Sequence, residues 1–294
     1  MIKTFKTKKL KTRFSPLVII MLAVLAVYSF FLIWLLGWGL LTALKNPLDF
    51  NDNMVGLPNP WYFKNFGYVL KNATMKKGGV EVAFGSIVWN SVIYSVGCAL
   101  VNTIVLCVTA YLCARYLCWF SKFLYAIVLV VMTIPIVGNQ ISELEISIKL
   151  GLYDTWIGML VMRANFLGLY FLVFYEMFKG IPRAFSEAAE IDGAGDWQIM
   201  LQIFFPMVSN TFITVVIINF IQYWNNYQVP MVFVPTKPTL AEYMFYITTL
   251  RQKLFGFIPC RMAAAFLLLL PVVVLFLAFN KKLLGNLSIG GIKG

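Results

Sequence analysis

Residues Glu187–Pro206 read EAAEIDGAGDWQIMLQIFFP, a polar and acidic stretch set between two long apolar segments. Glu187, Ala188, Ala189, Glu190 and Ile191 form a good helical run, with Pro182 before it and Gly193 after it. Proline is tolerated at a helix start and glycine at its end. Ser186 or Arg183 can stand near the cap. So short a helix is marginal alone, and packing must hold it. Its alanines make a thin surface able to enter a groove. Gly193, Ala194 and Gly195 permit a sharp turn without side-chain conflict. Asp196 is then expected as the N-cap of a second helix, Trp197–Phe205. That helix presents Trp197, Met200, Ile203 and Phe204 at helical spacing. It is expected to lie on a membrane surface and to lead through Pro206 into the next apolar segment.

The rest of the chain supplies the membrane. Of 294 residues, 61% are hydrophobic, and mean hydropathy is +0.81. A soluble domain of this size does not carry so much apolar surface. Uncharged runs cover Ser15–Leu44, Val82–Ala114, Phe123–Ser142, Trp197–Thr236 and Met262–Asn280. A sixth segment, Thr155–Tyr175, is apolar except for Arg163. A helix needs about 20 apolar residues to cross the hydrocarbon core. The expectation is an all-α polytopic membrane protein with six transmembrane helices. The first run keeps Trp34, Trp38 and bulky leucines to its end, so it reads as a retained span rather than a cleaved signal.

Net charge is +12, which in a soluble protein would suggest nucleic acid. Here the charge reads instead as a topology signal, and no nucleic-acid partner is expected. Lys3, Lys6, Lys8, Lys9, Lys11 and Arg13 precede the first span. With that end inside, basic residues are nearly twice as dense on the inner segments as on the outer ones, which predicts both termini in the cytoplasm. The expected order is a basic tail at 1–14, a first helix at 15–44 and an extracytoplasmic segment at 45–85. A transmembrane core follows at 86–281, with its loop at 182–206, and then a cytoplasmic tail at 282–294. Aromatics in the segment 45–85, such as Trp61, Tyr62 and Phe66, form either a dock for an extracytoplasmic partner or an interfacial belt with short surface helices. Pro135 and Gly138 could break the third span, which membrane depth tolerates only against protein or a cavity. Leu240–Leu250 is expected as an amphipathic helix.

Histidine is absent, which removes Ser-His-Asp and Cys-His catalysis and the commonest zinc ligand. Cys98, Cys107, Cys113, Cys118 and Cys260 show no metal-ligand spacing and read as packing residues. No metal and no catalytic residue is expected, and no cofactor on this chain. There is no GxxxxGK[ST] phosphate loop, so any nucleotide site belongs to a partner.

The spacing Glu-Ala-Ala, three residues, Gly193, nine residues, Ile203, one residue, Phe205-Pro206 resembles the EAA loop of the membrane subunits of ATP-binding-cassette (ABC) importers. Phe205 stands where that loop usually has leucine. Further pieces, in family order, resemble the carbohydrate-uptake subfamily and its smaller maltose-type subunit. They are Trp89-Asn90-Ser91, Ala110-Tyr111 with Ala114-Arg115, Pro135, the LGLYDT of Leu150–Thr155, Phe178 with Ile181-Pro182, Trp224-Asn225, and the GGIKG of Gly290–Gly294. Before Gly85 only the general plan agrees.

The resemblance implies a type I ABC importer permease fold in a bacterial cell membrane. It implies a second, longer homologous permease as heterodimer partner, and two ATP-binding subunits that hold ATP and Mg. An extracytoplasmic solute-binding protein, a carbohydrate substrate and surrounding lipid complete the set. The chain would be a non-catalytic transport subunit. Glu187, Ala188, Ala189, Asp192, Gly193 and Ala194 would form the ATPase-coupling element. Glu187–Gly193 would insert between the lobes of an ATPase subunit, and its displacement would pass to spans four and five.

A sugar needs hydrogen bonds and aromatic faces in an apolar pore. Asn219, Gln222, Tyr223 and Asn226 recur at one helical face, with Trp224 and Asn225 beside them. They either line the pathway or bond across packed helices. Arg163 would cost at least about 2.5 kcal/mol in a span, and such residues face a cavity or a partner. It either meets substrate or forms a structural pair with Glu143, Glu145, Glu176 or another chain. An ABC permease for an amino acid, osmolyte or metal chelate would share the EAA loop but not the combined LGLYDT, Trp-Asn and GGIKG pieces. A secondary transporter would be expected to carry intramembrane acids, and the uncharged runs have none.

Overall fold

The computed structural model describes residues 15–72, 74–77, 79–134, 138–249 and 256–287. The basic tail 1–14, Pro135, Leu250 and Gly290–Gly294, on which expectations rested, lie outside these.

Among the described residues, four helices are long and apolar enough to cross a membrane: Pro16–Ala43, Phe84–Arg115, Asp196–Asn225 and Ile258–Phe279. The first, α1 (Pro16–Ala43), opens on Pro16, whose missing N–H falls where the helix has no acceptor to meet. It has no polar face, and only Gly39, Thr42 and Ala43 at its far end are buried. The Asn65 amide donates to the carbonyls of Ala43 and Lys45, at 2.8 Å each. Those bonds satisfy carbonyls that the end of the helix leaves open.

The segment after α1 holds α2 (Lys64–Asn72) and an antiparallel ribbon of β1 (Thr74–Lys77) and β2 (Val80–Ala83), with Thr74 opposite Ala83. Short surface helices belonged to one of the two readings of this segment; the ribbon belonged to neither. Lys77 at its turn reaches the buried carboxylate of Glu242 at 2.5 Å, tying the ribbon to α12 (Leu240–Thr249).

The long helix α3 (Phe84–Arg115) is the axis of the molecule. Its buried stripe runs through Ser91, Ser95, Cys98, Ala99, Asn102, Thr103, Cys107, Ala110 and Ala114. Small residues let neighbouring helices approach closely, which substitutes for a hydrophobic drive that lipid does not supply. Against this stripe pack α10 (Phe205–Asn225), α7 (Leu169–Gly180) and α6 (Trp156–Arg163). The final helix, α13 (Ile258–Leu287), packs on α1, α2 and α10.

Three expected spans differ in detail. The third ends early: α4 (Trp119–Thr133) stops, Gly138 sits at φ +88°, and a separate α5 (Gln140–Lys149) follows. The expected continuous span 156–175 is broken between α6 and α7, with Gly168 at φ +148°. The break survives because Asn102, midway along α3, donates to the carbonyls of Arg163 and Asn165, at 3.1 Å each. Protein thus replaces the bonds that lipid cannot offer. Finally, the stretch expected as a separate surface helix, Trp197–Phe205, is continuous with the fifth span. The short α9 (Asp196–Gln198), a π-turn at Ile199–Phe204 and α10 run as one helix. Proline clashes with the carbonyl four residues before it; the wider π-turn carries the chain into Pro206 without a break. The helix ends at Asn225, short of the end of the uncharged run at Thr236, and α11 (Gln228–Phe233) begins anew.

Cys98, Cys107, Cys113 and Cys260 are buried, as packing residues are. Cys118 is not: it is exposed, in the turn between α3 and α4.

Candidate functional site

The polar stretch forms a helix, a turn and a second helix. α7 ends at Gly180, Ile181 caps it, and α8 (Ala184–Ile191) begins after Pro182 and Arg183. The Ser186 hydroxyl donates to the Arg183 carbonyl at 2.8 Å. Gly193 takes φ +81°. Its N–H donates to Glu190 O at 3.0 Å, and Ala194 N–H donates to Ala189 O at 2.9 Å. These two bonds are the Schellman closure, which needs a left-handed residue at the glycine position.

One residue anchors α8. Ala189 is buried, in the cluster that holds Tyr111, Phe178, Ile199, Met200 and Phe204. Glu187, Ala188, Asp192 and Gly193 are exposed, and Ala194 is half-buried. Ile191 is 86% exposed and Trp197 70% exposed, leaving two large apolar side chains without cover on one loop. α8 is thus a thin helix with one anchored edge and an outward acidic and apolar face.

Asp196 is not the cap that its sequence position suggests. Gly195 holds the N-cap position, and its N–H is taken by the Gln198 side chain at 3.0 Å. The Asp196 carboxylate instead accepts from the Tyr116 hydroxyl at 2.9 Å, fixing the loop to the end of α3. The Arg115 guanidinium stacks over the Phe204 ring at 3.9 Å and makes a second fastening. Sequence reasoning missed both; the only available signal was that Arg115 and Tyr116 follow the Ala110-Tyr111 piece.

The polar residues of α10 do not act as one stripe. Asn219 is buried, and its amide donates to Asn102 Oδ1 at 3.2 Å and Thr103 Oγ1 at 3.0 Å. Trp224 is also buried, with its indole N–H on Leu268 O at 3.0 Å. Tyr223 is half-buried, edge-on to Tyr94 at 5.7 Å. Asn226 accepts from Val229 N–H at 3.1 Å and so opens α11. Gln222 and Asn225 are exposed, Asn225 bonding back to Ile221 O at 2.8 Å.

Arg163 is paired within the chain. It meets Glu143 at 2.5 Å and lies over the Phe233 ring at 5.6 Å. Glu143 is one of the structural partners that the sequence offered. The same end of the molecule holds the LGLYDT turn. Asp154, at φ +56°, binds the Thr236 hydroxyl and Lys237, while Thr155 caps α6 by accepting from Gly158 N–H at 3.0 Å.

Residues 107–284 match the family described as "Binding-protein-dependent transport system inner membrane component". The chain is 25% identical, over 91% of its length and 86% of the relative's, to the diacetylchitobiose uptake system permease protein NgcG of Streptomyces coelicolor. It is 27% identical, over 97% of its length and 99% of the relative's, to the melibiose/raffinose/stachyose import permease protein MelC of Bacillus subtilis. A solved structure of a bacterial ABC transporter involved in import of the acidic polysaccharide alginate superposes with TM-score 0.75. That match has 20% identity and covers 90% of this chain and 95% of that one.

Proposed function

The chain belongs to the family of binding-protein-dependent transport system inner membrane components, and from that premise we propose that it is one permease of an ATP-driven importer of sugars or oligosaccharides. It is a membrane transport subunit. Its relatives include permeases named for diacetylchitobiose and for melibiose, raffinose and stachyose. They favour a carbohydrate over an amino acid or osmolyte.

The observation that carries the mechanism is the coupling loop. α8 is closed at Gly193, held at Ala189 and exposed at Glu187, Ala188 and Asp192. Beyond the turn, one helix runs without interruption from Asp196 to Asn225. A push on α8 therefore travels down that helix to Asn219 and the Asn102–Thr103 bonds on α3. In this reading, ATP binding closes two partner ATPase subunits, the loop moves as a rigid joint, and access to the pathway switches sides. ATP and Mg stay on those subunits; this chain holds no cofactor. A second permease completes the pathway, and a solute-binding protein delivers the sugar on the other face.

The remaining topology follows from the same reading. The loop and both termini lie in the cytoplasm. α4 and the broken α6–α7 pair make two further passes, bringing the total to six. Gln222, Tyr223 and Asn225 are the α10 groups left to meet solute, while Asn219, Trp224, Asn226 and Arg163 hold the helices around it.

The test is Gly193→Leu. A side chain at a left-handed position costs roughly 1–2 kcal/mol, enough to open the Schellman closure while the spans stay intact. The expected result is normal membrane insertion, co-purification of the second permease, and loss of solute-stimulated ATP hydrolysis and uptake. Undiminished ATP-dependent uptake by this variant rejects the loop as the coupling element.

A further inference from the structure

At the root of the loop lies a cavity of about 260 Å³ that none of the preceding roles uses. Arg115, Lys179 and Arg183 line it together with Ala114, Leu117, Tyr175 and the turn Gly180–Pro182. Three cations converge, and no carboxylate lines the cavity.

Arg115 and Arg183 also border a second cavity with Glu187, Glu190 and Asp196, but among the described residues neither arginine forms an ion pair with any of the three. Arg115 Nε and one Nη are buried without a hydrogen-bond partner, and Phe204 offers only the face of its ring. Arg183 has no ion pair among the described residues. Lys179 reaches Glu176 only at 3.6 Å, with both side chains about 60% exposed. Such a surface pair holds little. Arg115 is half-buried, and among the described residues its charge lacks a partner in the chain. Three cations around one cavity favour an anion that accepts several hydrogen bonds, and a phosphate does so.

The surroundings identify the carrier of that phosphate. Leu117 and Tyr175 give the cavity an apolar side. Next to it, in the turn that opens α4, Trp119 is 77% exposed and stacked on Phe123 at 5.5 Å, and Phe120 is 56% exposed. Aromatic side chains gather at the depth of lipid headgroups. A membrane surface at the level of these aromatics places the cavity among the headgroups. Basic pockets between helices on the cytoplasmic side are where anionic headgroups bind.

We propose that this cavity binds the phosphate of an anionic phospholipid, held between the end of α3 and the entry to α8. The lipid clamps the hinge from which the coupling loop moves. The cytoplasmic placement of the cavity and the loop's motion rest on the transport reading, while the count of bound lipid tests the cavity by itself.

The full chain in detergent is offered phosphatidylglycerol and phosphatidylcholine in equal amounts, and bound lipid is counted by native mass spectrometry. One phosphatidylglycerol is expected to stay on the wild type in preference to phosphatidylcholine. Each cation near an anionic surface is worth a factor of about five, so Lys179→Gln with Arg183→Gln should lower retention on the order of twenty-five-fold. Arg183→Lys, which keeps the charge, should retain most of it. Lys64→Gln with Lys71→Gln, a pair at the other end of the molecule, should change nothing. Equal retention by the Lys179/Arg183 double variant overturns the proposal. Inorganic phosphate should not displace the lipid, since it lacks the glycerol and acyl chains that meet Leu117 and Tyr175. Displacement by phosphate means the cavity takes small anions instead and overturns the lipid. Loss of lipid when an ATPase subunit is added likewise overturns it, assigning the cations to an acidic side chain of that partner.

Discussion

Gly158 has no room for a side chain. A Cβ there would lie 1.9 Å from the Leu152 carbonyl oxygen, and its N–H is held by the Thr155 cap. The collision is with backbone, so nothing can rotate away. Gly158→Ala is expected to destabilise the protein by about 3 kcal/mol, the upper range for overpacking. Thermal unfolding in detergent checks this: a Tm within a degree of wild type would contradict it. Nothing in the sequence marks Gly158, because the clash partner comes from the folded LGLYDT turn. Gly193 was legible, since its need is local: a helix must end and a sharp turn must follow. Asp154 carries a second prediction. Burial alone would raise its pKa, but bonds from Thr236 and Lys237 overcome it and hold the carboxyl below its ordinary range. A depressed carboxylate adds stability that is complete above its unfolded value of about 4 and fades as pH falls through the folded value. Asp154→Asn keeps the left-handed preference but removes the charge. Wild type should therefore exceed the variant in Tm at neutral pH, and the gap should close in acid. A gap that persists unchanged at low pH rules out the ionic contribution.

At the scale of elements, the α6–α7 break and the α3–α10 contact depend on the same small network. Asn102 gives its amide to two carbonyls freed by the break, and its oxygen accepts from Asn219. Removing a buried partner costs about 1–3 kcal/mol for each group left unsatisfied. Asn102→Leu should thus cost more than Asn219→Leu, which leaves Asn102 Oδ1 and Thr103 without their donor. The two losses should fall short of additivity by 0.5 kcal/mol or more, as for groups sharing one network. Strict additivity in denaturant titrations would disconnect the two contacts. The apolar periodicity that announced the span 156–175 could not show its interruption, because the partner lies far away in the chain, on α3. The signals were present but ambiguous: Asn165 and Gly168 in one segment, Asn102-Thr103 in the other. Likewise the boundary expected at Phe205–Pro206 dissolved into a continuous helix, since a π-turn carries the chain into a proline that usually ends one.

For the whole molecule, composition was enough to identify a membrane protein, because apolar surface on this scale has no other place to go. How the spans pair was not legible: it depends on small residues along α3 meeting partners far away in sequence. The orientation proposed for the assembled chain makes one sharp demand on its native cysteines. Cys98, Cys107, Cys113 and Cys260 are buried, and Cys118 alone is exposed, just past the C-terminal end of α3. Its bonds with the Ser121 hydroxyl and backbone hold the thiol below its ordinary pKa. More of it is therefore thiolate at neutral pH, the form that attacks a maleimide. If the loop faces the cytoplasm, a membrane-impermeant maleimide should leave this chain unlabelled in intact cells. In inside-out vesicles it should add one label, which Cys118→Ser abolishes. Lowering the pH should slow that labelling, while burial keeps the other four thiols silent throughout. Labelling of Cys118 from outside intact cells would reverse the topology. It would also move α8 to a face where no ATPase could reach it.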